Sequence, residues 1–191
     1  NPSPRDVQLV EGHLGLRPAE FSRSPALTIS FVDRLHTDQP LRFLGRDDVA
    51  FTDDAFIVMR SRNLARARTK LAMEKIGETC ELTCETGLPA IPLLRQLLNQ
   101  VMLARGVVPV HAAAFFHQGR GVLVTGWSHG SKTGTLLAFM AAGAKFIGDE
   151  WIYLNAIDGR MYGLPDQLEA RPWYLDELPQ YRRRVSLSDR V

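Results

Sequence analysis

Three groups of residues in this 191-residue chain have types and spacings suited to phosphate chemistry. The first is Val122-Leu-Val-Thr-Gly126-Trp-Ser-His-Gly-Ser-Lys132-Thr133, which runs into an apolar helical pattern ending at Ala142. It fits the spacing G-x-x-x-x-G-K-[ST] at Gly126, Lys132 and Thr133, with Ser131 standing where the last glycine would be. Water solvates a polyphosphate well. A competing site therefore needs convergent backbone N–H groups, the positive end of a helix dipole and a lysine. In that template Lys132 reaches the β- and γ-phosphates and the Thr133 hydroxyl holds Mg²⁺, while Gly126, Ser128, Gly130 and Ser131 form the cradle. If Ser131 must adopt a left-handed backbone, the cost is about 1–2 kcal/mol, and Gly130 is placed to take part of the turn. Gly134, in the first helical turn, costs about 1 kcal/mol relative to alanine. His129 is bulky for a loop tip and reads as exposed.

The second group is Asp149-Glu150, at the end of the short apolar run Lys145-Phe-Ile-Gly148. Mg²⁺ takes hard oxygen ligands, commonly one or two carboxylates, and the end of the next strand is where such a carboxylate belongs. The third is His111, in Pro109-Val-His-Ala-Ala-Ala-Phe115. Two readings of it stay open: a group that orients or charges the acidic pair, or a buried strand histidine bonded to a neighbour.

These groups need elements to hold them. Val107 to Phe116 reads as a strand, His117 to Gly121 as a glycine turn and Val122 to Thr125 as its partner strand. The helix after Lys132 stops at Gly143, and strands follow at 145–148, 151–154 and from Met161. Ahead of them, Pro89 and Pro92 open an amphipathic helix over 93–105 that Gly106 ends. The segment 25–90 is strand-rich: Ala26–Val32, Leu41–Leu44, Val49–Thr52, a turn at Asp53-Asp54, Ala55–Met59 and Cys80–Cys84. Leu71–Ile76 is ambiguous between strand and helix, and the basic run 60–70 reads as a solvated face. Residues 1–24, with three prolines, read as a loosely ordered lead-in. The expected division is thus 1–24, 25–90 and a core over 91–191.

An apolar fraction of 45% and a charged fraction of 23% describe an ordinary globular chain, and a net charge of +2 gives no push toward nucleic acid. No apolar run reaches the roughly 18–20 residues of a spanning helix, and the first residues lack the apolar stretch of a signal peptide. The expectation is therefore no membrane partner. Cys80 and Cys84, two apart in strand alternation from Leu82, read as buried thiols rather than a metal or redox pair, which suits the cytoplasm.

Taken together over residues 93 to 165, Pro109-Val-His-Ala-Ala-Ala-Phe, the Gly126–Thr133 loop, Gly143 and Ile147-Gly-Asp-Glu150 resemble the HPr kinase/phosphoenolpyruvate carboxykinase superfamily. The resemblance implies an α/β fold with a mixed β-sheet core around a P-loop strand–loop–helix unit, and ATP and Mg²⁺ as ligands. It carries phosphate contacts onto Gly126, Gly130, Lys132 and Thr133, and metal coordination onto Thr133 and Glu150. Asp149 becomes the base that accepts a substrate hydroxyl proton, and His111 sits beside the acidic pair. Glu150 stands where the HPr kinases carry a second aspartate, and the family's C-terminal core and substrate loop extend beyond the match. The expected function is an ATP-dependent kinase acting on a hydroxyl, that of a serine in a protein or peptide or of a small molecule. Its partners are then a nucleotide and that acceptor, with a homo-oligomer left open. The alternatives are a catalytically impaired nucleotide-binding, sensing or scaffold protein that retains the fold, which Ser131 would explain, and a purely structural loop.

Overall fold

A computed structural model describes residues 2–14, 24–45, 48–61, 66–74, 76–128, 130–164, 168 and 172–184. The chain divides into two compact units, Asn1–Gly106 and Val107–Val191, each built of strands and helices around its own β-sheet. The architecture is mixed α/β with strands predominating.

In the first unit a helix, α1 (Pro4–Leu14), precedes six strands. They are β1 (Leu27–Val32), β2 (Arg42–Phe43), β3 (Val49–Phe51), β4 (Ala55–Ser61), β5 (Arg66–Ala72) and β6 (Cys80–Glu85). Strands β2 to β6 form an antiparallel meander, and β1 adds to β6 in parallel, in the order β1-β6-β5-β4-β3-β2. Strand alternation sets what is buried: Cys80, Leu82 and Cys84 face inward, and the cysteines are unbridged, as the spacing suggested. On β5 the inward residues are Ala67, Thr69 and Leu71, which resolves the start of the ambiguous 71–76 stretch as a strand end at Ala72 with Met73 and Glu74 turning away; residue 75 lies outside the described residues. The basic residues occupy its other face. Half-exposed Arg60 and Arg66 flank the buried Glu85 carboxylate at 2.8 and 3.8 Å, so part of the basic run is ion-paired. Residues 62–65 of that run lie outside the described residues.

Two expectations are corrected here. Residues 4–14, read as part of a loose lead-in, are helical; the rest of that segment to residue 23 lies outside the described residues. The helix holds because the Asp6 carboxylate accepts bonds from the Ser3 hydroxyl, the Ser3 N–H and the Gly87 N–H, while Leu14 joins the core with Leu9 and Val10 packed against it. The proline count had masked an amphipathic pattern that proline at the first turn permits. The unit boundary also falls after Gly106, not at 90. Helix α2 (Leu94–Leu103) buries Leu94, Leu97 and Val101 in one cluster with Phe31, Leu71 and Leu82. Each such burial contributes about 1.5–3 kcal/mol, so this helix is held by the first sheet.

In the second unit β7 (Val107–His117) is the central strand. It pairs on one edge with β8 (Arg120–Thr125) and on the other with β9 (Lys145–Gly148) and β10 (Trp151–Asn155), all antiparallel; β11 (Met161–Gly163) adds to β10. Between β8 and β9 lies helix α3 (Lys132–Ala141), with Leu136 packed on Ala113 and Phe115 of β7. Helix α4 (Pro172–Glu177) and a short 3-10 segment, Pro179–Arg184, follow β11. Among the described residues no helix is long and apolar enough to cross a membrane.

Candidate functional site

The predicted loop spans the end of β8 and the start of α3, in the strand–loop–helix order expected. Ser131 precedes the helix with φ 59° and ψ 27°, so the position is left-handed and the serine carries the strain foreseen for it. Gly130 closes a turn by donating its N–H to the Trp127 carbonyl at 2.9 Å; a Cβ there would stand 2.9 Å from that same oxygen. A glycine is thus required one residue earlier than the template has it. Ser128 and Gly126 are exposed on the loop. His129 lies outside the described residues.

Lys132 is buried, only 7% exposed, and its Nζ donates to the carbonyls of Gly126 (3.4 Å) and Trp127 (3.1 Å). The ammonium is therefore curled back over its own loop at the N-terminal end of α3. Beside it the Thr133 hydroxyl donates to Asp149 Oδ2 at 2.8 Å. Asp149 is 7% exposed, and its other oxygen, Oδ1, is buried with no hydrogen-bond partner among the described residues. An unsatisfied buried carboxylate oxygen is costly, on the order of 1–3 kcal/mol or more, and a native site that keeps one commonly has a ligand to meet it.

Glu150 goes elsewhere. Across the junction of β9 and β10 the register on β7 runs on from Ala114 with Gly148 to His111 with Trp151, the one shift lying within the β7–β9 pairing between Ala114 and Phe115. Between them the Trp151 N–H donates to the Asp149 carbonyl at 2.8 Å and Glu150 takes φ 66°, a γ-turn with a left-handed centre. Such strain costs about 1–3 kcal/mol and recurs at functional sites. The turn leaves Asp149 facing Thr133 while the half-exposed Glu150 carboxylate lies 3.3 Å from His111 Nε2. His111 is exposed rather than buried, with Trp151 at 5.8 Å between ring centroids. Of the two acidic residues, Asp149 is thus the carboxylate at the Thr133 hydroxyl, the place the resemblance implies for Glu150.

Mg²⁺ fits the donors present. Among the described residues no group of three or more His, Cys, Asp or Glu side chains could hold a metal alone. A hydroxyl and one carboxylate with a spare oxygen are nonetheless the protein share that Mg²⁺ takes when water and phosphate supply the rest.

One neighbour escaped the sequence reading. The Tyr174 ring of α4 stands over Gly134, 2.7 Å from where a Cβ would be, which explains a glycine in the first turn of α3. The two are 40 positions apart in the chain, with prolines between them, and no local pattern links them. Compared with protein-family models and with curated proteins, the chain matches none.

Proposed function

We propose that this protein is an ATP-dependent phosphotransferase that binds Mg·ATP at the Gly126–Thr133 loop and phosphorylates a hydroxyl. The acceptor is a serine of a protein or peptide, or a small molecule. The observation that carries the reading is the buried, half-satisfied Asp149 carboxylate bonded to Thr133 beside the buried Lys132 ammonium, all at the N-terminal end of an α-helix. The family resemblance of the His111, loop and Asp149-Glu150 motifs points the same way.

In this reading Lys132 exchanges two loop carbonyls for phosphate oxygens, joined by backbone N–H groups at the start of α3. Thr133 and Asp149 would hold Mg²⁺, whose charge would offset that of the phosphates. The exposed Glu150–His111 pair takes the proton of the acceptor hydroxyl as its oxygen bonds to the γ-phosphorus and the bond to the β-γ bridging oxygen breaks, leaving ADP. Positioning and charge neutralisation carry most of such a reaction, and these residue types supply both.

Calorimetry with Mg·ATP on the native chain, Lys132→Ala and Asp149→Asn tests binding; a native chain that takes up no nucleotide sinks the proposal. Glu150→Gln is expected to keep that affinity and to lower phosphoryl transfer by about 10²–10⁴-fold, the span of general base catalysis. A second reading, a nucleotide-binding protein without turnover, draws on the left-handed Ser131. It is favoured if the native chain binds Mg·ATP and hydrolyses or transfers none of it.

A further inference from the structure

We infer that Arg60, Arg66 and Arg68 form a binding site for a single phosphate group, inorganic or a small phosphomonoester, on the sheet of the first unit. The inference stands apart from the nucleotide reading, which concerns the second unit. It begins from the β4–β5 pairing, whose register shifts twice. Val58 pairs with Thr69 and Met59 with Ala67, which leaves Arg68 the extra residue on β5. Ser61 then pairs with Arg66, which leaves Arg60 the extra residue on β4. A β-bulge re-aims a side chain and recurs next to functional sites. Here two follow one another on neighbouring strands, and the extra residue of each is an arginine.

The arginines outnumber the carboxylate they are set against. Arg60 Nε and Arg66 Nη2 stand 2.8 and 3.8 Å from the same oxygen of Glu85, Oε2, and the Leu35 N–H donates to Oε1 at 3.3 Å. Thr69 pairs with Cys84, so Arg68 and Glu85 come next to one another at that end of the β5–β6 ladder. Arg68 is half-buried, and its Nε is buried with no hydrogen-bond partner among the described residues. Nor does any other described carboxylate pair with the three. An arginine that only covers a sheet lays its stem on it and keeps the charged head in water. A buried guanidinium nitrogen without an acceptor is costly, and an anion supplies that acceptor. A phosphate group at neutral pH carries close to two negative charges, which matches three guanidinium groups less one carboxylate. The guanidinium fork also presents paired N–H donors to phosphate oxygens.

The test compares the full native chain in inorganic phosphate and in sodium chloride of equal ionic strength, by calorimetry, urea unfolding and amide exchange. Phosphate is expected to bind, to raise the urea midpoint and to slow exchange in β4, β5 and β6. Arg68→Met keeps an apolar stem and removes the unmet donor. It is expected to weaken phosphate about tenfold while unfolding in chloride no earlier than the native chain. A purely structural arginine would instead lower stability in both salts alike. Arg66→Gln, at an exposed position, is expected to weaken phosphate about threefold and serves if Arg68→Met does not fold. Lys132→Ala is expected to keep the phosphate effect on the first sheet, and loss of it there overturns the site. So does a native chain that gains nothing from phosphate over chloride, or a gain kept in full by Arg68→Met, or by Arg66→Gln where the first does not fold. Glycerol phosphate separates the two sources: tighter binding than inorganic phosphate marks a phosphomonoester, weaker binding the free ion.

Discussion

Ser131 and Glu150 are two non-glycine residues with left-handed backbone at the edges of one site. For Ser131 the strain is separable from the chemistry. Among the described residues its side chain makes no capping bond, so Ser131→Gly removes the Cβ penalty and loses only the greater chain entropy of glycine. The expected outcome is a gain on the order of 0.5–1 kcal/mol in urea unfolding, with Mg·ATP binding retained. A loss of stability would mean that the serine is held by something other than tolerated strain. Cys84 shows the opposite case, a residue with a reactive group and no role for it. Burial pushes its thiol pKa up, against a smaller opposing effect from the Thr69 hydroxyl, so the sulfur stays protonated and inert.

Among the elements, α1 hangs on one side chain. The Ser3 hydroxyl, opposed by desolvation and aided by the Gly87 and Ser3 N–H groups, holds the Asp6 carboxyl below its ordinary value of 3.8. A carboxyl with a depressed folded pKa stabilises fully above its unfolded value. That stabilisation fades as pH falls below about 3.8 and through the folded pKa. Protection of the Pro4–Leu14 amides, taken relative to the intrinsic exchange rate at each pH, is therefore expected to fall as the native chain is acidified from pH 5 to 3. In Asp6→Asn that protection should already be low at pH 5 and change little. Equal protection in both chains would mean that the apolar contacts of Leu9, Val10 and Leu14 hold the helix without the carboxylate.

For the molecule as a whole, two units with separate cores predict that a ligand of one protects that one. Mg·ATP is expected to slow amide exchange at Lys132–Leu137 and Gly148–Trp151 in the second unit, while Leu27–Val32 and Cys80–Glu85 in the first stay unchanged. Unchanged exchange at Lys132–Leu137 with saturating nucleotide would contradict the proposed site.

Much of this was legible in the residues themselves. Period-two alternation marked β6, strand-favouring composition marked β1 and β7, a 3.6-residue period marked α2, and Gly106 and Gly143 marked helix ends, because these are local properties of the chain. The same locality placed His111, Lys132, Thr133 and the acidic pair near one another, through short connections around one central strand. Which carboxylate meets Thr133 was not local. It depended on a γ-turn at Glu150, set by pairing along β7 that spacing along the chain does not reveal. Nor could the chain order tell that α2 belongs with the first sheet or that Tyr174 covers Gly134. Both were decided by which apolar faces find one another when the chain closes up: α2 follows β6 but precedes β7, so either sheet could have taken it, and Tyr174 is remote from Gly134 in the chain.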